Sequence, residues 1–155
     1  MCTIKVCMSA RDFEKAKKIT SDYIAWLGID LCFQNVDDEF AEFENMYSKP
    51  GGCFLIAVSE KNEVLGGVGL RKLTSKICEM KRLFVYPQYL KKGIGRGLCL
   101  ELIAEAKSFG YNKMRLDTLS RLVAANKLYE QLGFYEIAPY RINPDPTAKY
   151  MELKL

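Results

Sequence analysis

The chain has 155 residues, 49% hydrophobic and 27% charged, which excludes a disordered chain and predicts one domain, residues 1–155, burying roughly 70% of its unfolded surface. Its 23 basic and 19 acidic side chains leave a formal charge of +4 with no run of Lys or Arg, which suits an anionic small ligand and argues against nucleic acid. No histidine occurs, so Ser-His-Asp and Cys-His catalysis and mixed Cys/His zinc sites are excluded, no metal is expected, and chemistry falls to carboxylates, tyrosine, lysine or backbone dipoles.

Residues 3–8 read as a first strand. Ser9 followed by Asp12 offers an N-cap oxygen and first-turn negative charge, and predicts a helix running to about Leu27. Within it Phe13, Ala16, Ile19, Tyr23, Trp26 and Leu27 recur at three and four residues, so they share a face that should pack on a sheet. Asp37 or Asp38 opens a shorter helix carrying Phe40 and Phe43, and Lys49-Pro50-Gly51-Gly52 breaks whatever precedes it. Strands over 53–59 and 64–70 flank the polar turn Glu60-Lys61-Asn62-Glu63 and pair most simply as an antiparallel hairpin, which a strand over 76–85 extends. Gly66, Gly67 and Gly69 mark a bulge or a close approach within that meander. The set Leu98, Cys99, Leu102, Ile103, Ala106 and Phe109 predicts a helix over 94–109 with Gly110 as its stop. A strand follows over 113–118, then a helix over 122–132 ending at Gly133, and strands over 134–137 and 150–155.

This order argues for a mixed α+β fold, an α/β arrangement in which one mixed sheet carries helices on both faces. Its parallel part must be the strand-helix-strand unit over 76–118, because a parallel pair needs a crossover of that length. Cys2, Cys7, Cys32, Cys53, Cys78 and Cys99 stand far apart with no C-x-x-C pair. Free thiols in a reducing, cytoplasmic setting are expected, with no leader peptide. The longest apolar runs fall far short of the roughly 20 residues of a membrane-spanning helix, so no membrane segment is expected.

Gly93-Ile94-Gly95-Arg96-Gly97 joins a strand to a strongly periodic helix, a place where unpaired backbone N–H groups point outward and bind phosphate oxygens. Lys91, Lys92 and Arg96 add positive charge for a polyphosphate anion, and the glycines admit close approach. Leu98 occupies the last glycine position of a dinucleotide fingerprint, and no G-K-[ST] follows for a P-loop. Taken alone, the glycines also fit a merely tight loop.

The neighbours decide. Glu79-Met80-Lys81-Arg82-Leu83-Phe84-Val85-Tyr86-Pro87, followed by Lys92-Gly93-Ile94-Gly95-Arg96-Gly97-Leu98, closely resembles the acetyl-CoA-binding core of GNAT acetyltransferases. Asn126-Lys127-Leu128-Tyr129-Glu130-Gln131-Leu132-Gly133-Phe134 matches a second segment of that family at the expected later position. The resemblance implies a GNAT-like central sheet of about six to seven mostly antiparallel strands, and acetyl-CoA as co-substrate. It also implies an N-acetyltransferase acting on a primary amine of a small molecule or peptide by direct attack in a ternary complex. A non-catalytic acyl-CoA sensor on the same fold is the alternative, and a homodimer stays open.

By the same resemblance the backbone of Leu83, Phe84 and Val85 pairs with pantetheine like an added strand, and Asn126 reaches the same arm. Lys91, Lys92, Gly93, Ile94, Gly95, Arg96, Gly97 and Leu98 hold the diphosphate. Leu90 stands where the family usually has Arg or Gln, which should weaken cofactor affinity unless Lys91 or Lys92 substitutes. Tyr129 matches the tyrosine that protonates the departing thiolate, a transfer uphill by about 2 kcal/mol between a phenol near 10 and a thiol near 8.5; packing of a core tyrosine is the rival reading. Glu79 stands where the family often places a carboxylate that takes the amine's proton, with burial expected to raise its pKa; a salt-bridged strand glutamate is the rival reading.

Trp26, Phe33 and the loop Tyr140-Arg141-Ile142-Asn143-Pro144-Asp145-Pro146 correspond to regions that shape the acceptor pocket in many GNAT members. The prolines predict a semi-rigid lid, whereas Trp26 and Phe33 are expected in the core because large aromatics usually serve burial. Arg141 and Arg82 are candidates to grip an acceptor carboxylate.

Overall fold

In the computed structural model, residues 2–28 and 36–155 are described. Strand β1 (Cys2–Val6) leads to helix α1 (Ala10–Leu27). The start of α1 is a reciprocal cap, in which Ser9 Oγ accepts from Asp12 N at 3.1 Å and Asp12 Oδ2 accepts from Ser9 N at 3.3 Å. Gly28, at φ +71°, closes the helix in the left-handed region that favours glycine. The expected second helix is two short ones, α2 (Val36–Ala41) and α3 (Phe43–Met46), so Phe40 and Phe43 lie on different elements.

Strands β2 (Cys53–Ser59), β3 (Val64–Lys72) and β4 (Ile77–Val85) form the antiparallel meander. Helix α4 (Ile94–Ser108) crosses to β5 (Lys113–Leu119), which pairs parallel to β4. Helix α5 (Val123–Leu132), β6 (Tyr135–Ile137) and β7 (Ala148–Lys154) complete the order. The seven strands lie as β1-β2-β3-β4-β5-β7-β6, and β4–β5 is the parallel pair in an otherwise antiparallel sheet. This is the mixed, mostly antiparallel sheet expected from the sequence.

The sheet buries both faces. Leu98, Cys99, Leu102 and Ala106 of α4 pack with Leu55, Leu70, Met80, Met114 and Leu116 on one side. On the other, Phe13, Ala16 and Ile19 of α1 meet Phe43, Tyr47, Phe54, Ile56 and Phe84. That second face explains one of the strand glycines: a Cβ at Gly69 would stand 2.6 Å from the ring of fully buried Tyr47. Among the described residues, no helix is long and apolar enough to cross a membrane.

Two features of β4 shape everything that follows. Its ladder with β5 stops at Glu79–Arg115, although both strands continue, so the two diverge beyond that point. Its ladder with β3 passes from Gly69–Lys81 to Gly67–Phe84, which places one extra residue on β4. Arg82 takes that position with φ +61°, a conformation costly for a non-glycine residue unless its surroundings hold it. They do: its guanidinium donates to Glu39 Oε1 at 2.7 Å and Oε2 at 3.3 Å, and Tyr47 donates its hydroxyl to the same carboxylate at 2.8 Å.

Candidate active site

The divergence of β4 from β5 opens a cleft of about 520 Å³. Its walls are Met80 to Val85 on β4 and Leu116 to Leu119 on β5, with Tyr23 and Trp26 of α1 at one end and the start of α4 at another. Gly93, at φ +79°, is the N-cap of α4, and no side chain caps that end. The first bond within the helix is Gly97 N to Gly93 O at 3.0 Å, so the amides of Ile94, Gly95 and Arg96 have no acceptor inside the helix. These three residues, Gly93 and Lys91 all line the cleft, and at Gly95 the nearest neighbours of an added Cβ lie at ordinary contact distance. Amides, helix dipole and the charges of Lys91 and Arg96 together could hold a diphosphate.

Several expected binding residues stand elsewhere. Gly97 has its N–H engaged, and its Cα side packs toward Ile4 of β1, where a Cβ would meet Ile4 at 3.1 Å. Leu98 is fully buried in the core under α4. Lys92 lies over the Tyr89 ring at 5.9 Å and outside the cleft lining. Asn126 is occupied structurally: its Oδ1 accepts from Thr118 Oγ1 at 2.7 Å and its amide donates to Leu119 O at 2.9 Å, tying α5 to the end of β5. Leu83, Phe84, Val85 and Leu90 do line the cleft.

Tyr129 is buried on the inner side of α5, lines the cleft, and its hydroxyl makes no hydrogen bond among the described residues. Burial, with smaller contributions from Cys99, Tyr23 and Asp117, pushes its pKa well above that of a free phenol. It is therefore a neutral donor across the working pH range.

Glu79 differs from its expectation. Its side chain has no exposed surface and stands outside the cleft lining. Oε1 accepts from Arg71 Nε at 2.7 Å, while Oε2 accepts from the Tyr140 hydroxyl at 2.6 Å and from Arg141 Nη2. Burial pushes its pKa up, but Lys81, Arg141 and Arg71 outweigh it and hold the carboxyl down to about 2. A group that gives up its proton so readily is a poor proton acceptor near neutrality, and the expectation of a burial-raised base is corrected accordingly. The salt-bridged reading fits the geometry.

The acceptor side holds further departures. Trp26 is 51% exposed and lines the cleft instead of filling the core; it forms an aromatic wall with Tyr23 and Phe84, whose rings lie 6.3 and 5.4 Å from its own. Phe33 and Cys32 fall outside the described residues. Arg82 is engaged with Glu39 and Arg141 with Glu79, so neither guanidinium is held in reserve for an acceptor. In the 140–146 loop, Tyr140 and Arg141 pin the strap to the sheet through Glu79, and Asn143 lines the cleft. Among the described residues no cysteine lines the cleft, and burial pushes the thiols of Cys7, Cys53, Cys78 and Cys99 up to about 12. Lys81, which sequence reasoning noticed only as part of a motif, lines the cleft with its side chain 4% exposed.

The chain with this cleft between diverging parallel strands belongs to the acetyltransferase (GNAT) family, whose model matches residues 20–134. It is an N-acetyltransferase of that family. An uncharacterized N-acetyltransferase of Schizosaccharomyces pombe is 38% identical over 146 residues, spanning 94% of this chain and 90% of its own. The N-acetylaspartate synthetase of Xenopus tropicalis is 33% identical over 118 residues, 74% of this chain and 43% of its own. Among solved structures, an acetyltransferase from Streptococcus agalactiae superposes with a TM-score of 0.78 at 26% identity, covering 99% of this chain and 98% of its own. Other neighbours of this fold have been solved with coenzyme A or acetyl-coenzyme A bound.

Proposed function

We propose that the protein transfers the acetyl group of acetyl-CoA directly to a primary amine of a small molecule or peptide, both substrates bound together. The observation that carries this is one cleft lined at once by the open amides of α4 and by the neutral Tyr129. In this reading Ile94, Gly95 and Arg96 hold the diphosphate with Lys91 beside them, and the β4 backbone from Leu83 to Val85 guides the pantetheine arm. The amine attacks the thioester carbonyl, the carbon–sulfur bond breaks, and Tyr129 hands its proton to the leaving thiolate. The amine's own proton passes to water in the open cleft, since Glu79 is committed to its cations, and water returns a proton to the Tyr129 phenolate, so that amine and acetyl-CoA become amide and free CoA thiol with the tyrosine restored. Burial of the phenol widens the uphill gap, and desolvation of the leaving thiolate in the same cleft raises its pKa and offsets part of that. None of the described cysteines lines the cleft, which supports direct attack over an acetyl-cysteine intermediate. A relative named for making N-acetylaspartate supports a small acceptor.

The test is release of CoA thiol from acetyl-CoA against amino acids, polyamines, aminoglycosides and peptides, with release expected only when an amine is present. A protein stabilised by CoA, by about 2.7 kcal/mol at 100 times the dissociation constant, yet releasing no thiol with any amine, would be the sensor instead.

Leu90 supplies a second check on the cradle. It is 52% exposed and lines the cleft next to Lys91. Leu90→Arg brings a guanidinium to the diphosphate and should tighten CoA roughly 3- to 10-fold by titration, more at low salt than at high. Unchanged affinity would mean that the diphosphate lies elsewhere.

A further inference from the structure

The β4 segment that borders the cleft carries a buried ammonium with no hydrogen-bond partner among the described residues. Lys81 has a side chain only 4% exposed, it lines the cleft, and among the described residues it makes no hydrogen bond. Among the described residues its ion pair is with Glu79 Oε1 at 3.9 Å, beyond hydrogen-bond reach, and Glu39 acts on it only through charge. That oxygen already accepts from Arg71 at 2.7 Å, and the other accepts from Tyr140 and Arg141. The neighbouring anion, Glu39, is engaged by Arg82 and Tyr47. Arg71, Lys81 and Arg141 thus gather around one carboxylate, and the cluster is left short of negative charge. A second sign of the same deficit is Arg141 Nε, which is buried without a hydrogen-bond partner among the described residues.

Buried charges normally find a partner, and an unmatched one beside a cleft is matched by what enters the cleft. We propose that Lys81 binds a carboxylate of the amine acceptor, and that the acceptor is an α-amino acid. The rest of the cleft fits the remainder of such a molecule: Asp117 on β5, which accepts from Asn143 Nδ2 at 3.4 Å, adds negative charge to the lining, while Tyr23, Trp26 and Phe84 offer an apolar surface. Burial, then the charge of Arg82, holds the Lys81 pKa down to about 8, the direction expected of an ammonium awaiting its counter-ion. The diphosphate cradle is formed by different residues, at the start of α4, so Lys81 is assigned to the acceptor and not to CoA. This inference rests on the acetyl-transfer reading.

The experiment compares L-leucine, L-phenylalanine and L-aspartate, each beside its α-amide, as acceptors for thiol release and as ligands of the CoA-loaded protein in calorimetry. At least one acid should have a KM and a dissociation constant on the order of 10- to 100-fold below those of its amide. Lys81→Met should erase that difference, and Lys81→Gln should do the same if the methionine variant fails to fold. Wild-type protein that treats every acid and amide alike, or binds none of the acids, overturns the proposal. So does a Lys81 variant that lowers kcat by one factor for acid and amide, or that loses CoA affinity as far as it loses the acid. If calorimetry shows the acid preferred while no amine releases thiol, acetyl transfer fails and carboxylate recognition by Lys81 stands.

Discussion

Tyr129→Phe is expected to slow thiol release on the order of 100-fold or more, with little change in CoA affinity and no loss of fold. Removing a positioned proton donor typically costs 10²–10⁴-fold, because the thiolate must then leave unprotonated or wait for solvent. The fold is spared because the hydroxyl makes no hydrogen bond among the described residues, so its deletion orphans no partner. Ring packing against Phe134, centroid to centroid at 5.7 Å, survives the change. Single-turnover kinetics with saturating acceptor would separate the chemical step from product release. Since burial raises the phenol well above its usual value, the wild-type pH profile should show no limb from this residue. A phenylalanine variant that releases thiol at the wild-type rate would remove Tyr129 from the mechanism.

Glu79→Ala is expected to produce the largest loss of stability, about 3–5 kcal/mol, or roughly 6–20 °C in Tm for a chain of this size. The variant leaves Arg71, Arg141 and the Tyr140 hydroxyl without their shared acceptor and adds to the unmatched charge of Lys81. Glu79 also sets part of the acid behaviour. Its folded pKa, about 2, lies below the ordinary 4.5, so its contribution is complete above about 4.5 and is lost as pH falls toward 2. Urea titrations between pH 2 and 6 should therefore show a steep acid limb in the wild type that is shallower in Glu79→Gln. The same variant decides between anchor and base. Turnover per folded molecule should survive in Glu79→Gln, whereas a catalytic base would take the rate with it at every pH.

Local order was legible in the residues because it rests on neighbours in sequence. The Ser9–Asp12 cap, the three-and-four spacing from Phe13 to Ile19, and the stops at Gly110 and Gly133 each involve contacts within one or two turns. The α4 cradle was legible for the same reason, since a glycine N-cap and first-turn amides are set by residues 93–97 alone. Gly97 and Leu98 were read into that cradle because a motif does not say which way a helix faces. The orientation follows from β1 and the core beneath α4. Trp26 misled by its spacing: it continues the apolar pattern of α1, yet the turn it occupies stands beside open space between β4 and β5.

By itself, the sequence determined the element order, the parallel crossover, the glycine turn that opens α4 and the family, because periodicity, caps and ordered motifs are short-range properties of the chain. Only the tertiary structure decided what the charged residues do. Arg71, Glu79, Lys81, Tyr140 and Arg141 come together from β3, β4 and the loop before β7, and whether a carboxylate there is a base or an anchor depends on how many cations crowd it. Electrostatic energy depends on distance through space and on exclusion of water, and both arise from the register of strands and the bulge at Arg82.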